Sequence, residues 1–168
     1  MPDPELKLLR RFGCSERVVE HCITVSRVAL DIADRVGIRV DRDLIRQGAL
    51  LHDLGRCKTH SIEHGVVGAK LVEDARVPPE VVRIVERHIG AGIPEAEARE
   101  LGLPPKDYFP VTPEEKIVAY ADKLTRGSQV ITFQEALDDM RRSLGKDHPA
   151  IERLKNLHEE IHGWLNHA

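Results

Sequence analysis

Along this chain apolar residues recur at helical spacing, and one stripe after another runs into a histidine, which limits the available folds more than any other property of the sequence. From about Asp41, the residues Ile45, Ala49 and His52 fall on one helix face at spacings of four and three. An imidazole thus closes a stripe that has to be buried. Asp53 follows at once, and Gly55 is expected to stop the helix in a left-handed cap. A histidine and a carboxylate side by side at the inner end of a helix are costly to desolvate unless something pairs with them, and a metal ion would do so.

The pattern repeats along the chain. Ser15 can cap a long helix that carries Val18, His21, Val25, Val28, Ile32 and Val36 on one stripe and ends near Gly37. A third helix, from about Ser61, lines up His64, Gly68, Leu71 and Ala75, with Gly68 and Ala69 small enough to admit a close neighbour. Pro78 and Pro79 open a fourth, whose apolar face is Val81, Ile84 or Val85, and His88. Thr112-Pro113-Glu114-Glu115 has the form of a capping box, and the helix after it runs through Ile117, Val118, Ala121, Asp122 and Leu124 with Asp122 bordering the apolar face. Two closing helices are predicted, from about Thr132 to Leu144 and from about Asp147 to Trp164, the second with Ile151, Leu154, Ile161 and Leu165 as its stripe.

Before the first of these helices lies a short leading segment with Leu6, Leu8, Leu9 and Phe12. Between Gly90 and Pro113 prolines interrupt the period, leaving room for one short helix through Glu95 to Leu101 in a surface excursion where Tyr108 and Phe109 either pack as filler or touch a ligand. No internal repeat and no β-alternating segment is visible. The expectation is an all-α, single-domain helical bundle over residues 1–168, with a core from about 15 to 126 and helices at 132–166 packing on it.

A net charge of -3 offers no general attraction to nucleic acid or acidic membrane, so no dedicated nucleic-acid surface is expected. No apolar run approaches the roughly 20 residues that cross a bilayer, and Met1 to Arg11 lacks the apolar segment of a secretory signal; a cytoplasmic location is expected. Cys14, Cys22 and Cys57 have no C-x-x-C spacing and read as core thiols, Cys57 included. His148, His158, His162 and His167 fall in the terminal helices and are expected to be exposed. An apolar stripe on the last helix near Trp164 offers a surface for a homodimer.

A lone histidine on an apolar stripe is ordinarily a core residue bonded to a neighbour. Here His21, His52 with Asp53, His64, His88 and Asp122 come from separate helices whose inner faces must converge, and uncompensated imidazoles and carboxylates cannot share a dry centre. Mixed histidine and carboxylate ligands without thiolate suit Mn²⁺, Fe²⁺, Zn²⁺, Co²⁺, Ni²⁺ or Mg²⁺ and do not choose among them. His21, His52, Asp53 and Asp122 would hold one ion. His64 and His88 would hold a second with Asp53 bridging, and two ions about 3.5 to 4 Å apart can clamp a phosphoryl group.

His21, then His52-Asp53-Leu54-Gly55, then Asp122-Lys123 resemble the H…HD…D signature of the HD-domain metal-dependent phosphohydrolases, in the subgroup whose motif usually reads His-Asp-Ile-Gly. His64-Gly65-Val66-Val67-Gly68-Ala69 and the neighbourhood of Arg87-His88 resemble the two additional histidines of its binuclear members. The resemblance covers about Val18 to Arg126, and Leu54 in place of isoleucine is its one departure. It implies an all-α core and metal-assisted hydrolysis of phosphate esters or anhydrides, mostly in nucleotides, by a metal-activated hydroxide.

In that chemistry Asp53 would bridge or ligate and orient the hydroxide. Lys123, Arg56, Lys58 and Arg126 are candidates to hold a substrate phosphate. His60 lies four residues before His64 and competes with it as ligand, or can act as proton donor to the leaving oxygen; the glycines after His64 favour His64. Two other readings stay open: an HD module that binds a nucleotide without turnover, and a di-iron oxygenase.

Overall fold

The computed structural model describes residues 3–165. Among them the chain forms α1 (Pro4–Arg11), α2 (Glu16–Arg35), α3 (Arg42–Leu51), a 3-10 turn (Leu54–Cys57), α4 (His64–Asp74), α5 (Pro79–Glu86), α6 (Glu95–Glu100), α7 (Pro113–Lys123), β1 (Thr125–Arg126), β2 (Gln129–Val130), α8 (Phe133–Leu144) and α9 (Pro149–Trp164). No helix among the described residues is long and apolar enough to cross a membrane. The all-α class holds, apart from a two-rung antiparallel hairpin that pairs Thr125 with Val130 and Arg126 with Gln129.

Side chains cap most helix N-termini. Ser15 Oγ accepts from Val18 N, Asp41 Oδ1 from Leu44 N, and Thr112 Oγ1 from Glu115 N. The start of α8 is a complete reciprocal box: Glu135 N donates to Thr132 Oγ1 at 3.1 Å while Thr132 N donates to Glu135 Oε2 at 2.8 Å. Thr132→Ala is expected to cost about 1 kcal/mol, seen as a melting point lower by about 2–4 °C.

Two apolar cores flank the histidine-bearing helices. One joins α2, α3, α7, α8 and α9 through residues such as Val25, Ile45, Ile117, Leu137 and Leu154. The other lies under α1 and joins it to α2, α3, α4 and α5 through Leu9, Val19, Leu51, Val72 and Val85. The leading segment is therefore a helix with its own buried anchor. Along α4 the inner stripe is His64, Gly68 and Val72, while Leu71 is half-buried and Ala75 exposed, so the stripe expected through Leu71 and Ala75 is one residue out of phase.

The proline-rich stretch is not loose filler. Tyr108 is 2% exposed and packs with Ile93, Ala98 and Leu103, its hydroxyl donating to Pro104 O at 2.8 Å. Phe109 lies on Gly92, where a Cβ would come within 2.5 Å of the ring. Both aromatic rings serve packing and neither lines the large cavity described below. Two of the terminal histidines, His148 and His158, also depart from expectation. His148 Nδ1 caps α9 by accepting from Ala150 N, and His158 is half-buried, stacked on Phe133 and bonded through Nδ1 to the Tyr120 hydroxyl at 2.5 Å. His162 is exposed, and His167 lies outside the described residues. Ile151, Leu154, Leu157 and Ile161 are buried within the chain itself, with Trp164 packed beside them, so this stripe is not a free surface for a second copy.

Candidate metal centre

All the ligand candidates but His21, which lies in the second turn of α2, stand at or next to a helix end, and the same local device orients three of the four imidazoles. His52 follows α3 and donates its Nδ1–H to Ala49 O at 2.6 Å; His88 follows α5 and donates to Val85 O at 2.6 Å. His64 begins α4 and donates to Ser61 O at 2.8 Å. In every case the acceptor lies three residues earlier, and at Ala49 and Val85 it is a carbonyl that a helix leaves without a partner at its C-terminus. The fourth, His21 on α2, donates to Gly127 O at 2.6 Å, in the turn of the β1–β2 hairpin. A carbonyl can only accept, so each Nδ1 carries the ring hydrogen and each neutral Nε2 presents a bare lone pair.

Those four lone pairs converge on two carboxylates. Asp53 Oδ2 lies 3.5 Å from His21 Nε2 and 3.7 Å from His52 Nε2, whereas Asp53 Oδ1 lies 3.2 Å from His64 Nε2 and 3.3 Å from His88 Nε2. Asp122 Oδ1 completes the first side at 2.9 Å from His21 Nε2 and 3.3 Å from His52 Nε2. Neighbouring ligands bound to one ion at about 2.1 Å stand about 3 Å apart, so these spacings are those of a coordination sphere. The structure brings all six predicted ligands together, and the two oxygens of Asp53 face different groups of them.

Without a cation the arrangement is electrostatically unfavourable, and this tests whether the residues fit one. His64 Nε2 and His88 Nε2 face each other at 3.1 Å with no hydrogen left to share in the neutral tautomers. His52 is wholly buried and its Nε2 has no hydrogen-bond partner. Burial opposes charge on His52, yet Asp53 and Asp122 hold its pKa well above the ordinary imidazole value. Burial likewise opposes ionisation of the two acids, but His52 and the other facing imidazoles bring both well below the usual carboxylate range. Ionised acids and an imidazole that favours a proton describe a pocket short of positive charge. A divalent cation fits the donor set.

The turn between His52 and His64 depends on a glycine for a different reason than expected. Gly55 is not left-handed; it lies in the 3-10 turn, where a Cβ would sit 1.9 Å from His64 O and 2.8 Å from Gly68 N. Close passage of this turn over α4 brings Asp53 to His64. Beneath it, Cys14 donates to Leu54 O at 3.6 Å, and burial pushes its thiol pKa up to about 12, the behaviour of an inert core thiol.

A cavity of about 940 Å³ opens onto His21, Asp53 and Asp122. Arg56 and Lys123 line it. Arg56 Nε is 3.7 Å from Asp53 Oδ1, and its Nη1 donates to His60 O. Arg126 also lines the cavity but is held by Asp139 through two bonds of 2.9 and 2.8 Å. Lys58 is exposed and does not line it, which places this candidate away from the site. His60 is exposed and lines the cavity, outside the group of six. Arg17, in the first turn of α2, lines the cavity without an ion pair among the described residues; sequence reasoning passed over it because an exposed arginine beside a helix cap carries no distinguishing pattern.

A family model described as HD domain matches residues 18–127. The chain is 50% identical over 155 residues to uncharacterized protein MJ0778 of Methanocaldococcus jannaschii, covering 90% of this chain and 92% of that one. It is 43% identical over 163 residues to the tRNA (cytidine(56)-2'-O)-methyltransferase of Picrophilus torridus, covering 96% of this chain but only 47% of the methyltransferase. Its fold is similar to a crystal structure of the L. monocytogenes phosphodiesterase PgpH HD domain in complex with cyclic-di-AMP, with a TM-score of 0.57 at 17% identity and 96% coverage of both chains. With the matched segment running from the turn before His21 to just past Asp122, the chain belongs to the HD domain family.

Proposed function

We propose that the protein is a metal-dependent phosphohydrolase that cleaves a phosphate ester or anhydride of a nucleotide. The observation that carries this reading is the divided carboxylate of Asp53, one oxygen toward His21 and His52 and the other toward His64 and His88. One or two divalent ions held by His21, His52, Asp53, His64, His88 and Asp122 would polarise the phosphoryl group and ionise a water.

The remaining work falls to the chain's own side chains. Arg17, Arg56 and Lys123 place guanidinium and ammonium groups on the cavity where the non-reacting phosphate oxygens would lie. Arg126 contributes only if a substrate draws it from Asp139. His60, exposed on the same cavity, is suited to supply a proton to the leaving oxygen. The PgpH structure, with its bound cyclic-di-AMP, supports including cyclic dinucleotides among the substrates tested.

The second reading, a nucleotide-binding module without turnover, draws support from the match to less than half of a protein named for a different reaction, a tRNA methyltransferase. Metal analysis of the purified protein, followed by phosphate release from a panel of mononucleotides, cyclic dinucleotides and tRNA, separates the two. The phosphohydrolase reading expects metal-dependent turnover that His52→Ala abolishes. Binding with no turnover under Mn²⁺, Fe²⁺, Zn²⁺, Co²⁺, Ni²⁺ or Mg²⁺ would overturn it in favour of the module.

A further inference from the structure

We propose that the cavity carries an apolar subsite, formed by Ile93 and Leu101 from the α6 region and by Met140 and Leu144 from α8, that takes the base of a nucleotide whose phosphate lies at the metal centre. This inference rests on the phosphohydrolase reading and adds to it what the substrate carries beyond the phosphate.

Four large hydrophobic side chains are exposed among the described residues, and two of them, Leu101 at 46% and Leu144 at 47%, lie on this one cavity. One exposed leucine is ordinary, but two on the rim of one polar-edged cavity are what an apolar ligand-binding groove presents. Ile93 and Met140, on the same cavity, are nearly buried, so the subsite has a packed floor beneath an open rim. Arg153 of α9 binds Glu97 of α6 through both carboxylate oxygens, at 3.1 and 2.7 Å, and so ties the α6 wall to α9, with which α8 shares a core.

Charge is sorted in the same sense. Arg17 and Lys123 line the cavity and have no ion pair among the described residues. The α6 and α8 walls contribute carboxylates instead: Glu97 and Asp139 neutralise the neighbouring Arg153 of α9 and Arg126 of β1, and Glu100 adds a further carboxylate. Such a half repels a chain of further phosphates and accepts a neutral ring. At about 940 Å³ the cavity is at the upper end for small-molecule sites and far exceeds a phosphate alone. Part of this wall is α8, which lies beyond the residues 18–127 matched by the family model, so the subsite draws on more of the chain than the segment that carries the ligands.

Calorimetric binding of the four nucleoside 5'-monophosphates, ribose 5-phosphate and inorganic phosphate to the metal-loaded full chain tests the subsite. The same titrations are run on Leu101→Asp and Leu144→Asp, with metal content and melting temperature measured on each. The tightest nucleotide is expected to bind at least about tenfold better than ribose 5-phosphate, and each variant to weaken it about tenfold, the effect of one lost aliphatic contact. Inorganic phosphate, metal content and melting temperature should stay as in the wild type. Equal binding of nucleotide and ribose 5-phosphate, or variants that leave nucleotide binding intact, would overturn the subsite while leaving the hydrolase reading in place. Failure of the metal-loaded wild type to bind even inorganic phosphate would overturn both.

Discussion

Asp53→Ala is expected to leave a helical protein that no longer holds metal and no longer turns over. Asp53 Oδ2 serves His21 and His52 while Oδ1 serves His64 and His88, so its removal takes a donor from both groups at once. Loss of a residue that merely orients a ligand costs about 10- to 100-fold in metal affinity, and loss of a shared ligand should exceed that range. The measurement is metal stoichiometry after dialysis, with helicity followed by circular dichroism. His64→Ala provides the contrast: it is expected to remove one equivalent and spare the other, because His21, His52, Asp122 and Asp53 Oδ2 remain together. An Asp53→Ala protein that retains two equivalents would show that the carboxylate does not bridge.

Gly55→Ala is expected to be the most damaging exchange of a single hydrogen for a methyl group anywhere near the site. The added carbon would lie 1.9 Å from His64 O, a main-chain atom with no flexible end to swing aside. The turn and α4 must therefore separate. Overpacking of this kind costs about 3 kcal/mol or more, or a melting point lower by about 6–12 °C, and should weaken metal binding because the displaced segment joins Asp53 to His64. Gly163→Ala is the matched control. It lies within α9 with nothing near its Cβ position, so the same chemical change there should stabilise by up to about 1 kcal/mol. Gly55→Ala melting with the wild type would refute the close-passage account.

The ligand positions were legible because each needed only the phase of one helix. His21, His52, His64 and His88 fall where apolar periodicity turns inward, and Asp53 and Asp122 stand beside that period. What could not be read was what each inward face meets. Gly55 resembles a helix stop, and its actual requirement, room for α4, is a property of two segments together. The hairpin escaped notice because two rungs around Gly127 are too short to alternate, although a glycine at φ 61° flanked by Arg126 and Ser128 is a turn signal. Tyr108 and Phe109 sit in a proline-broken stretch where periodicity carries no information about burial, and both prove to be packing residues. Charged candidates fared unevenly for a related reason. Lys58 and Arg56 differ by two residues in a tight turn, so one reaches the cavity and the other faces solvent.

The atoms that aim the four imidazoles are carbonyl oxygens of Ala49, Ser61, Val85 and Gly127. Every amino acid carries that oxygen. As far as aiming the rings goes, those four positions are free to drift through almost any residue type, and a comparison of side chains alone would miss the outer shell altogether. Deuterium uptake by neighbouring amides would register a loosened anchor, since a slackened ring means a displaced backbone.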